Sequence, residues 1–187
     1  KGTRKRGRTA KEDLALKYEL QHSSKDKAEH LMIVDLLRND IGKISKPGHV
    51  STTNMFTVRS YKTVHQMISR VQGILTENIE EMDIIKALFP GGSITGAPKE
   101  RAMKIIDEIE IYQRECYTGS IGYGLSNGNM DFNIAIRTMI QENDIFKYSV
   151  GGGIVWDSNF YLEWLEAHQK SLVLDQFINS ELKIERV

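Results

Sequence analysis

The sequence predicts an α+β fold built with antiparallel strands. Three features carry that reading: two helical stretches with polar caps near the start, a block at about residues 117–156 rich in strand patterns separated by tight turns, and one helical stretch after it. Strands that follow one another through two-residue turns pair antiparallel, whereas parallel neighbours need a long crossover between them.

Residues 1–8 hold five basic residues, Lys1, Arg4, Lys5, Arg6 and Arg8, with two glycines among them. They read as a solvated loop; a nucleic-acid arm or a targeting signal is the sharper alternative for such a cluster. Thr9 followed by Glu12 is a capping box that opens a helix through Leu14 and Tyr18 to about Gln21. Ser24 is the candidate cap of a second helix reaching about Asp40, with Ala28, Leu31, Met32, Leu36 and Leu37 near helical spacing and Gly42 and Pro47 marking its end. Residues 50–60 alternate and are rich in Thr, Val and Phe, which predicts a strand, and helical patterns follow at about 62–75 and 80–89. The run from Pro90 to Pro98 is a glycine-rich loop feeding a helix through Met103, Ile105, Ile106 and Ile109, with Pro98 near its first turn, where a missing N–H costs nothing.

Strands are expected at about 117–126, 130–141 and 145–156, with turns at Asn127-Gly128 and near Asn143-Asp144. Gly151, Gly152 and Gly153 would lie inside the last of these, where missing side chains allow a ligand or another backbone to come close. A final helix is expected at about 159–178. With no repeat, linker or low-complexity stretch, residues 1–187 read as one domain. The chain opens without a methionine and reads as a fragment.

Lys+Arg and Asp+Glu both count 25, a formal net charge of zero that speaks against a protein coating nucleic acid or an acidic membrane. No apolar run reaches bilayer-spanning length, so no membrane partner is expected either. The single cysteine, Cys116, excludes an internal disulfide and fits a reducing, cytoplasmic setting. With no base beside it in sequence, it is assigned no catalytic role.

Two acidic pairs stand out. Asp26 and Glu29 lie three apart on one predicted helix, and Glu163 and Glu166 repeat the spacing on the last, so each pair shares a face. Such oxygen donors suit a hard cation such as Mg²⁺, although acidic pairs also decorate many solvated helices. The loop at 91–96 could cradle an anion at a helix start, but it lacks the Gly-Lys-Ser/Thr ending of a nucleotide loop, which argues against ATP or GTP. A plain tight turn accounts for it as well. Arg137, among Ile134, Ala135, Ile136 and Met139, is either a structural ion-pair partner or a planar fork for a substrate carboxylate. Tyr117, expected to begin a strand, offers a hydroxyl or a core aromatic. Lys170, one turn past Glu166, either pairs with that glutamate or adds a cation. His30 and His65 read as packing or supporting residues rather than ligands. From residue types alone, the chain is a soluble α+β domain able to bind a metal and an anionic ligand.

Taken together, Lys1-Gly2-Thr3-Arg4, Glu29-His30-Leu31-Met32, the run from Asp35 to Gly42, the run from Phe89 to Lys99 and Gly151 to Val155 resemble the chorismate-utilising enzymes, in the family's order and from Lys1 to about Leu174. The resemblance implies antiparallel sheets packed as a sandwich with outer helices, this chain being the C-terminal portion and the N-terminal half lying upstream. It implies Mg²⁺ held by Glu29 and Glu166 with Asp26 and Glu163 beside them. It also implies chorismate held by Gly2, Thr3, Tyr117, Arg137, Gly151, Gly152, Gly153 and Lys170. Gln66, with His65 beside it, falls where the family has a histidine. Lys1 matches the branch in which a lysine before Gly-Thr adds to the chorismate ring and expels the C4 hydroxyl, so that ammonia enters at C4. An alanine there goes with amination at C2 and loss of pyruvate. The Gly91–Lys99 loop and the triple glycine also look like the C4 branch rather than the branches that add water. The resemblance finally implies a separate glutamine amidotransferase subunit as the ammonia source.

Overall fold

Polar caps set the first elements of the computed structural model, which describes residues 2–156 and 158–181. The Thr9 hydroxyl accepts from the Glu12 N–H at 3.2 Å and starts α1 (Ala10–His22), while the Glu12 carboxylate reaches back to the Arg8 N–H at 2.8 Å. The cap of α2 (Ser24–Gly42) is Ser23 rather than the expected Ser24. Ser23 ends α1 and begins α2 at once, its hydroxyl accepting from the Asp26 N–H at 3.2 Å.

Residues 3–5, expected as loop, form a strand, β1 (Thr3–Lys5), at one edge of a three-stranded antiparallel sheet with β3 (Val64–Leu75) central and β2 (Ser45–Ser60) beyond it. Thr3 faces Gln66, Arg4 faces His65 and Lys5 faces Val64. The basic cluster is tied into the fold instead of extending as an arm. Arg4 pairs with Glu19 at 2.8 Å and Asp26 at 3.0 Å, and Arg6 forks onto Asp13 with both contacts at 2.8 Å.

The segment at 62–75, expected as helix, is largely β3. Val64, Met67, Ile68 and Val71 fit a helical spacing, yet burial runs with a period of two: His65 and Met67 are buried, while Val64, Gln66 and Ile68 are only partly covered. Its β-branched residues suit a pleated surface once β2 is there to pair with. A short link, closed by the Tyr61 N–H on the Val64 carbonyl at 2.7 Å, makes that pairing local. Alternate residues of β3 then meet the helices. His65 reaches Asp13 of α1, Met67 joins Leu20 and Val58 in the core, and Ser69 reaches His30 of α2. The glycine-rich run holds a single turn, α4 (Gly92–Thr95), between α3 (Glu81–Leu88) and α5 (Lys99–Ile109). Lys99 anchors that region to the buried Asp40 at 2.7 Å, and Lys43 holds the other carboxylate oxygen at 3.0 Å.

These elements belong to the first of two compact units, Lys1–Ile109; Glu110–Val187 form the second. There, β4 (Ser120–Gly124) and β5 (Met130–Ile134) make an antiparallel hairpin around the expected Asn127-Gly128 turn, where Gly128 takes φ 83°. A second hairpin joins β6 (Met139–Glu142) to β7 (Ile145–Tyr148) through Asn143, at φ 55°, and Asp144.

The strand expected over 130–141 is therefore broken. Ala135 is buried, exchanging backbone bonds with Thr118 and Gly119 at 2.9 Å, and Arg137 takes φ 55°, a left-handed conformation that a ladder does not continue. Arg137 accordingly lies between strands, Tyr117 lies in the turn before β4, and Gly151, Gly152 and Gly153 lie beyond the end of β7 rather than inside a strand. Finally, α6 (Phe160–Glu181) is capped by Asn159, whose side-chain oxygen accepts from the Tyr161 and Leu162 N–H groups at 3.1 and 3.2 Å. The fold is mixed α+β and every sheet is antiparallel. No helix among the described residues is long and apolar enough to cross a membrane.

Candidate functional site

In the first unit the expected site residues collect where β1 meets α2. The Gly2 carbonyl accepts from the Met67 N–H at 3.0 Å, which fixes the backbone beside the helices. A Cβ on Gly2 would stand 2.9 Å from Leu20 Cδ1 and 3.0 Å from Asp26 Oδ1, so a side chain there would make Leu20 and Asp26 shift. Thr3 follows on β1, paired with Gln66. Asp26 is bound by Arg4 at 3.0 Å, a pairing across 22 residues that the sequence does not disclose. Glu29, one turn on, meets among the described residues the exposed Lys25 ammonium at 3.9 Å. Lys1, the expected nucleophile, lies outside the described residues.

In the second unit the three-dimensional structure gathers residues that are far apart in sequence. Glu163, Glu166 and Lys170 lie along α6, three and then four residues apart. Lys170 Nζ donates to Glu166 Oε1 at 2.6 Å and to the Gly151 carbonyl at 2.8 Å. Lys170 thus pairs with its helix neighbour, as one reading of it expects, and also holds the glycine run. Ser158, which the sequence reading missed, donates to Glu163 Oε1 at 2.7 Å. A Cβ on Gly152 would stand 3.1 Å from Glu163 Oε2, and one on Gly151 would stand 2.8 Å from the Tyr117 hydroxyl. Gly153 has open space around it.

Arg137 Nη1 donates to the Lys170 carbonyl at 2.9 Å, and among the described residues its other nitrogens carry no hydrogen bond. The fork is therefore anchored at one tip and has donors left for an anion. Burial pushes the Tyr117 phenol above its usual range, with Arg114 and Arg137 pulling in the opposite direction. Tyr117 stays a neutral donor at physiological pH, with Gly151 against its hydroxyl and Arg114 and Arg137 acting on it. Tyr117, Arg137, Gly151, Gly152, Glu163, Glu166 and Lys170 so form one polar cluster, in which Arg137 keeps unused donors.

Within neither unit do three His, Cys, Asp or Glu side chains gather into a metal group among the described residues. Each unit carries one acidic pair on one helix, Asp26 with Glu29 in the first and Glu163 with Glu166 in the second. The donors are all oxygen, and Mg²⁺ takes one or two carboxylates and keeps several waters, so their chemistry fits that ion. His30 and His65 are supporting residues. Both are buried, with His30 on Ser69 at 2.8 Å and His65 between Ser60 and Asp13, each at 2.9 Å.

The mixed fold with antiparallel sheets is shared with known structures. Anthranilate synthase component I from Streptococcus pneumoniae TIGR4 superposes with a TM-score of 0.78 at 43% identity, over 86% of this chain and 37% of that one. The family model for chorismate binding enzymes matches residues 1–174, and the chain belongs to the chorismate binding enzyme family. Relatives named for two different activities match it at nearly equal identity. A probable chloroplastic aminodeoxychorismate synthase of Oryza sativa subsp. japonica is 49% identical across 83% of this chain, and anthranilate synthase component 1 of Acinetobacter calcoaceticus is 47% identical across 91%. The chain spans 17% of the length of the first and 34% of the second.

Proposed function

We propose that residues 1–187 are the chorismate-binding catalytic part of an aminating enzyme, and that its reaction is that of aminodeoxychorismate synthase: chorismate and ammonia to 4-amino-4-deoxychorismate, on the route to p-aminobenzoate and folate. The cluster on α6 supports the substrate class. Arg137 and Lys170 supply positive charge for a dicarboxylate, Tyr117 supplies a neutral donor, and Gly151 and Gly152 let the Tyr117 hydroxyl and the Glu163 carboxylate come close to the backbone. Glu29, with Asp26 beside it, and Glu166, with Glu163 beside it, are the carboxylates that would hold Mg²⁺, and a bound ion would offset the charge of the substrate carboxylate.

The choice of reaction rests on one residue. Lys1 stands immediately before Gly2-Thr3, and its neutral amine attacks the ring as the C4 hydroxyl leaves with a proton as water. Ammonia then displaces the lysine amine, restoring Lys1 and leaving nitrogen at C4. Ammonia comes from a separate glutamine amidotransferase subunit, in keeping with the name component 1 borne by the Acinetobacter calcoaceticus relative. A cytoplasmic location, resting on the single cysteine, is part of the same proposal. The alternative is anthranilate synthase component I, the name borne by that relative and by the Streptococcus pneumoniae structure. Incubating the full-length protein with chorismate, ammonium and Mg²⁺ separates the two by product. Aminodeoxychorismate supports the proposal, and anthranilate with pyruvate replaces it by the alternative.

A further inference from the structure

Ser69 joins three elements through one oxygen. Its Oγ shares a hydrogen bond with His30 Nε2 of α2 at 2.8 Å and accepts from the Phe56 N–H of β2 at 3.1 Å. The second bond follows from a fault in the ladder. Pairing of β2 with β3 shifts between Thr53 and Thr57, where Asn54 and Phe56 take φ 53° and 54°. The bulge removes the Phe56 N–H from the ladder, so it needs another acceptor. The displaced Phe56 ring then lies 5.8 Å from the His30 ring and 6.0 Å below Lys27 Nζ.

One turn of α2 is thereby gripped three times: Asp26 by Arg4, Lys27 over Phe56, and His30 by Ser69. Glu29 belongs to this turn, and its own contact is the exposed Lys25 at 3.9 Å. Its direction is thus set by its neighbours, because successive helix residues point about 100° apart. A rotation of α2 by about 20° would carry a carboxylate at the helix surface roughly 2 Å. Metal–ligand distances tolerate only about 0.2 Å.

We propose that Ser69 is a positioning residue for Glu29: its hydroxyl, bridging the β2 bulge and His30, sets the rotation of α2 and so aims the Glu29 carboxylate at a bound divalent cation. The proposal rests on the reading of Glu29 as a Mg²⁺ ligand.

The test is Mg²⁺ titration calorimetry on the full-length protein, alongside the Mg²⁺ dependence of turnover and a thermal melt. Ser69→Ala should weaken Mg²⁺ binding about tenfold, the low end of what losing outer support around a metal site costs. Ser69→Thr, which keeps the hydroxyl, should restore it. His30→Phe, which keeps a ring but loses Nε2, should give the same loss and decides the matter if Ser69→Ala does not fold. Unchanged Mg²⁺ affinity in either folded variant overturns the proposal. So does a loss that Ser69→Thr fails to restore, because that would reflect packing alone. Glu29→Gln distinguishes the two levels. If it binds Mg²⁺ as the wild type does, the ligand reading fails; if it loses Mg²⁺ while Ser69→Ala keeps it, only the positioning role fails.

Discussion

Arg137 and Lys170 are joined through backbone: the Arg137 guanidinium donates to the Lys170 carbonyl at 2.9 Å, while the Lys170 ammonium turns back to the Gly151 carbonyl at 2.8 Å. Two cations are thus held side by side without neutralising Arg137, whose remaining donors are available to an anion. Arg137→Lys keeps the charge and loses the planar fork. In the full-length enzyme this should weaken chorismate binding by about 1.5–3 kcal/mol, seen as a roughly tenfold to hundredfold rise in KM. If the variant unfolds instead, Arg137 is a structural residue.

Glu166 pairs with Lys170 at 2.6 Å, but its side chain is 56% exposed. A solvated pair of this kind contributes only about 0–1 kcal/mol to stability. Glu166→Gln should therefore leave the melting curve nearly unchanged while abolishing Mg²⁺-dependent turnover. Full activity in that variant, or wild-type turnover unaffected by EDTA, would remove Glu166 from the metal site.

Lys1→Ala should stop formation of aminodeoxychorismate while Mg²⁺ and chorismate still bind. Mass spectrometry of wild-type protein held with chorismate and no ammonia should reveal an adduct on Lys1. A variant that forms aminodeoxychorismate at the wild-type rate makes Lys1 a bystander.

Asp13 is held well below the usual carboxylate range, chiefly by the Arg6 guanidinium, then by the Gly7 N–H and by His65. A depressed folded-state pKa contributes stability that is fully present above the unfolded value, near 3.9, and is lost as pH falls below it towards the lowered value. Stability of the wild type should accordingly drop on acidification from about pH 4 downward. Asp13→Asn should lack this component and give a flatter profile over that window. Equal acid profiles for the two proteins, followed by circular dichroism, would show that the Arg6–Asp13–His65 network contributes nothing through titration.

Some of this protein was legible along the chain because its causes are local. Thr9 caps α1 and Asn127-Gly128 turns a hairpin through atoms only a few residues away. The acidic pairs needed only the helix repeat. The segment at 62–75 was misread as helix for the complementary reason. Val64, Met67, Ile68 and Val71 satisfy a helical spacing as readily as a strand, and only pairing with β2 on one side and β1 on the other decides between them.

The site divides in the same way. Residue types and their resemblance to a family named Arg137, Lys170, Tyr117 and the three glycines, but assigned Arg137 and the glycines to strands. The structure places them beside strands, where a left-handed Arg137 and the end of β7 free their polar groups from the ladder. Nothing in sequence pairs Arg4 with Asp26, Ser69 with His30, or Lys170 with Gly151, separated by 22, 39 and 19 residues. By itself the sequence determined what could form within a turn of chain: caps, tight turns and the faces of single helices. The tertiary structure decided which charges meet and which carboxylate is left to its neighbours' aim, because those contacts exist only after distant elements have packed together.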